Sequence, residues 1–268
     1  VYKRQVYDFA FDYLSRHPHA HLKEIGKDTK SVAVEVFKRF INIGLVRGGK
    51  SGNWNVNGWN MMLRPVLVLD SDEAYPDGKG KEYYLNLLVN ESTPYHDAIP
   101  DMLKTYDPVT GLWPEPPGYS FGTIQMLLEW AAPLKRAGID IIAGNPILQK
   151  AAMAVFPWMD DAANMVVFGD SRGGSANFQT FENLLAYYAG ITDKAGMEKV
   201  ASALNKGISQ KKYTRNNAGW TGLCTYTVAI PSVCTENNER ASYSPHHRFI
   251  TMKNWEGDYK MMFTLYGG

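Results

Sequence analysis

The run Leu112-Trp113-Pro114-Glu115-Pro116-Pro117-Gly118-Tyr119-Ser120-Phe121-Gly122 passes directly into Thr123-Ile124-Gln125-Met126-Leu127-Leu128-Glu129-Trp130. Its first half reads as a stiff aromatic loop and its second as the start of an apolar helix. Three prolines fix the backbone ahead of that helix, so the side chains they carry lose little entropy on meeting a ligand. One of those side chains is the phenol of Tyr119. The same arrangement recurs at Asn53-Trp54-Asn55-Val56-Asn57-Gly58-Trp59-Asn60, just before another apolar stretch. Amides, indoles and a placed phenol suit a carbohydrate better than a phosphate, a hydride donor or DNA.

Working outward from these two segments, helical spacing of apolar residues predicts helices over 2–15, 29–43, 57–69, 81–88 and 94–103, then over 119–134, 146–156, 178–188 and 194–204. The second of these closes at Gly44. Several are apolar on more than one face, which points to a two-layer helical shell in place of a simple bundle. After about residue 210 the period changes to two. Strands are expected over 222–230, 247–253 and 259–266. The fold class is therefore mainly α: an incomplete (α/α) toroid over 1–210, followed over 211–268 by the first antiparallel strands of a sheet domain.

Composition narrows the function. The chain has 268 residues, 45% of them hydrophobic, enough for a substantial core. Its formal charge is +1, with no basic run of the kind that neutralises phosphates, which argues against nucleic acid as a partner. An acidic saccharide stays open, because a pocket needs only a few local cations. No stretch is apolar and long enough to span a bilayer. The sequence opens at Val1 with no signal peptide and stops at Gly268 directly after an expected strand, so a piece of a longer protein is expected. Cys224 and Cys234 are compatible with a local disulfide in an oxidising compartment and equally with two free buried thiols. Without a Cys-x-x-Cys spacing they give no sign of a structural zinc site.

Each chemical reading has a plainer one beside it. Tyr119 can act as general acid, and as base once neighbours lower its pKa; otherwise it caps a helix and packs on Pro117. The amides of Asn53, Asn55 and Asn57 can neutralise a carboxylate, with Trp54 and Trp59 stacked on sugar rings. The plainer alternative is an Asn-rich turn with Trp anchors. In Gly169-Asp170-Ser171-Arg172-Gly173-Gly174, Arg172 can clamp an anion and Asp170 can orient it, or the segment is an ordinary turn. His246 and His247 stand at the start of an expected strand and point to opposite faces, so only one serves a given site. His17, His19 and His21 form a spaced triplet for a metal or a solvated loop. Glu115 and Glu129 lack the placement of a glycosidase pair.

Together these segments resemble the heparinase II/III group of polysaccharide lyases. Trp113 to Thr123 is similar to that group's loop-to-helix segment with a catalytic Tyr, at the position of Tyr119. Phe168-Gly169-Asp170-Ser171 resembles a stretch after its later helices, and Asn53 to Gly58 resembles its carboxylate-neutralising loop. The resemblance covers about residues 50–268. It implies β-elimination on a polymer containing uronic acid, of glycosaminoglycan or alginate type, with an acidic polysaccharide or oligosaccharide as partner. In this reading Tyr119 is acid and base, Asn55 and Asn57 neutralise the carboxylate, and His247 or His246 assists. Asn53, Trp54, Trp59, Trp113, Glu115, Asp170 and Arg172 bind sugar. Periplasmic or secreted localisation follows from the same resemblance. The group's Asn-His-Gly pattern appears here as Val56-Asn57-Gly58, without its His. The His-x-His stretch expected after Met262–Gly268 lies past the end of this chain, as would the ligands of any divalent metal in the sheet domain; no metal ligand is assigned within it. Two alternatives stay open. One is a hydrolase of unsaturated glucuronyl ends on the same scaffold, using Glu115, Asp160 or Asp170. The other is a carbohydrate-binding protein without turnover.

Overall fold

The computed structural model describes residues 2–160, 163–169, 176–188, 194–215, 230–232, 240–245, 247–254 and 261–267. These residues are mainly helical, with a small three-stranded antiparallel sheet toward the C-terminus. The chain divides into two compact units, Val1–Met102 and Leu103–Gly268. The sheet shares its unit with the later helices.

The first unit holds α1 (Tyr2–Arg16), α2 (Ala20–Glu24), α3 (Thr29–Arg47), α4 (Gly52–Val66), α5 (Lys81–Val89) and α6 (Ile99–Met102). A capping box starts α3: the Asp28 carboxylate accepts from Ser31 N–H while the Ser31 hydroxyl closes back on Asp28. The helix runs through Gly44, where a stop is expected, and ends at Gly48. A methyl at Gly44 would overlap the Met62 side chain. This glycine therefore serves a close crossing of α3 and α4 and does not act as a terminator. Phe37, Ile41 and Leu45 of α3 meet Val56, Trp59, Met62, Leu63 and Val66 of α4, all buried at helical spacing. Each such side chain contributes roughly 1.5–3 kcal/mol on burial. That stripe explains a second departure: the Asn-rich segment lies inside α4, because the helix begins at Gly52.

The helix expected over 94–103 shrinks to the four residues of α6. Side chains have taken the backbone groups that a helix would use. Thr93 Oγ1 donates to the Leu45 carbonyl at 2.8 Å, Ser92 Oγ accepts from Ala98 N–H at 3.0 Å, and Asn55 engages Asp97.

The second unit holds α7 (Pro117–Arg136), α8 (Pro146–Met153), α9 (Phe178–Tyr188) and α10 (Lys194–Ser209), then β1 (Ala241–Ser244), β2 (Phe249–Asn254) and β3 (Met261–Tyr266). Pro117 occupies the first position of α7, where its missing N–H costs nothing. Phe121, Ile124, Leu127, Leu128, Ala131 and Leu134 form the buried stripe of α7, packed on α9. The helix expected to 156 breaks at Met153, and a 3₁₀ turn, Phe156–Trp158, follows around Pro157. In the sheet, Ser244 faces Phe249 and Phe249 faces Tyr266. Ser244, Phe249, Thr251 and Lys253 make the buried face, and Tyr243, Met252, Phe263 and Leu265 lie on the exposed one. The strand expected over 222–230, together with Cys224 and Cys234, lies outside the described residues.

Candidate functional site

The Pro-rich segment is held from below by a tight turn. Asp107 is buried; its carboxylate accepts from Val109 N–H at 2.7 Å and from the Ser244 hydroxyl of β1. Its backbone N–H donates to Leu112 O at 2.7 Å, and its carbonyl accepts from Gly111 N–H. Burial alone would raise the carboxyl. The Ser244 hydroxyl and the N–H groups of Val109 and Thr110 outweigh it, and the pKa lies below the ordinary carboxylate value. Ser244 Oγ also accepts from His247 N–H at 3.3 Å, and His247 Nε2 donates to the Leu112 carbonyl at 3.1 Å. A neutral imidazole bonded in this way carries its proton on Nε2. His247 therefore sits in the turn between β1 and β2, not on a strand as expected, and that turn is fastened to the residue that opens the Pro-rich segment.

Above this anchor the segment is internally cross-tied. Trp113 is buried; its Nε1–H donates to Glu115 Oε2 at 3.0 Å and its backbone N–H to Ser120 Oγ at 3.2 Å. Trp113 also packs edge-on against Tyr106, at 4.7 Å between ring centres. The Thr123 hydroxyl donates to Ser120 O, which leaves it to accept from the Tyr106 hydroxyl at 2.9 Å. Burial pushes the Tyr106 phenol far up, so it stays neutral. Gly169, at φ +63°, lies under Pro116: a methyl there would come within 2.9 Å of its Cγ. Phe168 stacks on Tyr266 of β3 at 5.2 Å.

These contacts bring three distant stretches of sequence together around one cleft: the segment from Leu112 to Phe121, the Phe168-Gly169 corner and the β1–β2 turn. Trp113, Glu115, Phe168, His247, Phe249 and Tyr266 contribute to its lining, with Trp158 at its side. Its empty space, counted out to open solvent, is about 470 Å³.

Tyr119 is not in that lining. Pro117, Ser120 and Phe121 of α7 face the cleft, and Tyr119 lies roughly 200° round the helix from Pro117 at 100° per residue. It stands in the first turn of α7, 38% exposed, with its N–H donating to Pro116 O at 2.9 Å. The helix begins two residues ahead of the expected start at 119, so Tyr119 lies inside its first turn. The first turn of a helix has positive potential, which favours an anionic group held near it.

In the first unit the Asn-rich segment separates by helical phase. Trp54 is 77% exposed and Asn57 is exposed, with its Nδ2 donating to Asn53 O at 3.2 Å. Asn53 is half-buried. Asn55 and Trp59 require correction. Asn55 is fully buried; its Nδ2 donates to Asp97 O and its Oδ1 accepts from Asp97 N–H, both at 2.9 Å. Trp59 is fully buried, with Nε1–H bonded to Leu88 O at 3.1 Å. Neither side chain reaches a ligand, because the buried stripe of α4 includes both. His246, Asp170 and Arg172 lie outside the described residues.

The His triplet does not gather round a centre. His19 accepts from His21 N–H at the start of α2, His21 pairs with Glu24, and His17 stacks on Tyr13. Among the described residues, no three His, Cys, Asp or Glu side chains are placed to hold a metal ion. No described helix is long and apolar enough to cross a membrane.

Sequence reasoning missed Asp107, Ser244 and Trp158. Asp107-Pro108-Val109-Thr110-Gly111 carries a legible turn signature; nothing local marks Ser244 as its partner 137 positions away. No protein-family model, no curated protein and no solved structure matches this chain.

Proposed function

We propose that this chain carries the site of a polysaccharide lyase acting on a polymer containing uronic acid, on an incomplete (α/α) toroid followed by sheet. The observation that supports this reading is the convergence in the second unit of two segments that resemble the heparinase II/III group, the Trp113–Thr123 stretch and the Phe168-Gly169 corner, together with the turn that carries His247. All three meet at the helix that presents Tyr119 to solvent.

Tyr119 takes the proton from C5 of the uronate, the bond from C4 to the leaving oxygen breaks, and a C4=C5 double bond forms. Tyr119 acts as phenolate in the first step; the proton it has taken then passes from the phenol so formed to the departing oxygen, which regenerates the phenolate with no water consumed. Neutralising the uronate carboxylate acidifies the C5 proton. His247 stands on the sheet side, with Glu115 holding Trp113 in place.

The test is Tyr119→Phe in the full chain, assayed on glycosaminoglycans and alginate by ultraviolet absorbance of the unsaturated product and by product mass. The expected result is loss of absorbance with polymer binding retained. Full activity of the variant removes Tyr119 from the chemistry. A product heavier by one water identifies a hydrolase, and binding without any product from the wild type identifies a carbohydrate-binding protein; either refutes the lyase.

A further inference from the structure

In the first unit, the surface at the start of α4 sets Trp54 beside residues that sequence reading did not join to it. Gly48 follows α3, and Gly49-Lys50-Ser51 lead into α4. Residues 44–97, which build this surface, are described throughout. Neither glycine has room for a side chain. A methyl at Gly48 would overlap Gly44 O and lie 3.2 Å from Tyr95 O, and one at Gly49 would lie 2.9 Å from Trp54 Cβ. The floor between Tyr95 and Trp54 is therefore bare backbone. The two aromatic side chains beside it are open to solvent, Trp54 77% exposed and Tyr95 53%.

The turn that carries Tyr95 is fixed at several points. Thr93 Oγ1 donates to Leu45 O near the end of α3, the backbones of Thr93 and His96 pair, and Asn55 of α4 holds the N–H and the carbonyl of Asp97. Ser51 is held at φ 66° and ψ 171°, a region that side chains rarely enter, so its surroundings keep the turn in one shape. Polar groups stand around the rings. Arg47 and Lys50 bracket the glycine pair, both exposed. Lys50 Nζ lies 3.7 Å from Asp97 Oδ1, close enough to be steered and too far for a hydrogen bond. Asn57, three positions from Trp54 and on the same side of α4, presents an exposed amide.

A ligand for this surface needs flat apolar faces for two rings and polar groups at its rim. A pyranose chain has both: C–H groups on the ring faces, with hydroxyl and acid groups around them. An apolar helix would cover the rings but strand the ammonium and the amide without water. A nucleic acid strand also stacks, but it draws its affinity from a series of phosphate contacts. We propose that this surface is a non-catalytic platform for an acidic saccharide chain, with sugar faces stacked on Trp54 and Tyr95 and Lys50 pairing with an acid group at the rim. The platform lies wholly within the first unit and takes no part in the elimination. It rests on the lyase reading for the class of polymer alone.

The experiment uses the full chain carrying Tyr119→Phe, so that no turnover intervenes, labelled with ¹⁵N at tryptophan. The Trp54 indole resonance is the one missing from Trp54→Ala. Tetrasaccharides of alginate, chondroitin, hyaluronan and heparan are titrated separately, with cellotetraose and a thymidine tetranucleotide for comparison, and calorimetry gives the affinities. The expected result is a saturable shift of the Trp54 resonance with at least one acidic tetrasaccharide. Its binding falls about tenfold in Trp54→Ala and in Tyr95→Ala, the loss for truncating an aromatic anchor, and Trp54→Phe recovers most of it. Urea midpoints of these variants match the parent, because both side chains are exposed. Lys50→Gln weakens the same sugar and lessens the effect of salt on its binding. No shift with any acidic tetrasaccharide, unchanged affinity in both ring variants, or equal binding of cellotetraose or of the tetranucleotide overturns the proposal. The lyase is read separately, from product formed by the chain with Tyr119 intact: binding through the platform without product sinks the lyase alone, and product with unchanged affinity in the ring variants sinks the platform alone.

Discussion

Replacing Asn55 by Ala separates a structural amide from a chemical one. The carboxamide closes a two-bond ring with the backbone of Asp97, each bond 2.9 Å long, on a side chain with no exposed surface. Removing it leaves a buried N–H and a buried C=O without their partners. Each costs about 1–3 kcal/mol, and the gain in helix propensity from Asn to Ala returns only about 0.5 kcal/mol. The net loss is about 2–5 kcal/mol, against a total stability of about 5–15 kcal/mol for ordinary folded proteins. With a urea slope of about 2–3 kcal/mol per M, the midpoint falls by about 1–2 M at unchanged slope. Asn55→Asp should be no better, since a carboxylate accepts from Asp97 N–H but has nothing to donate to Asp97 O. Asn57→Ala, two positions on and exposed, should stay within about 0.5 kcal/mol of wild type. A wild-type urea midpoint for Asn55→Ala would show that the pair of bonds carries no net energy, and the case for excluding Asn55 from the chemistry would fail with it.

Two further outcomes follow from buried polar groups. Ser244→Ala removes the hydroxyl that donates to the Asp107 carboxylate and accepts from His247 N–H; urea denaturation should register a loss of about 1.5–3 kcal/mol, the range for a bond to a charged group, and a change under 0.5 kcal/mol would refute the anchor. His96 is buried, and burial lowers its pKa from 6.5 to about 4. The folded state then stays neutral where the unfolded state takes up a proton, so this contribution to stability is complete above pH 6.5 and is lost as pH falls toward 4, in total about 3 kcal/mol by linkage. His96→Phe should flatten the urea midpoint between pH 6.5 and 4, and an unchanged pH slope would contradict the burial.

The local signals and the long-range ones parted company at identifiable residues. Proline at the first turn of α7 and the capping box of α3 announce helix starts, because those devices act within four residues of chain. Gly44 misleads for the opposite reason: its role is to admit Met62 from another helix. The Asn-rich segment misleads in the same way. Four asparagines favour a turn by their own preferences, and the apolar stripe from Val56 to Val66 outweighs them by burial. Of its two tryptophans, helical phase sends one outward and the other into the core.

The sequence by itself determined the helical character of most of the chain, the change to strands near its end, and the helix that carries Tyr119, since each rests on periodicity or on backbone constraints within a few residues. Only tertiary structure decided which amides and indoles remain accessible, that Ser244 and His247 fasten the Pro-rich segment, and that Trp158 is left with an unmet donor beside an aromatic cleft. Those outcomes depend on pairings across as many as 137 positions, and no local pattern encodes which distant group will arrive to satisfy a buried donor or to leave it unsatisfied.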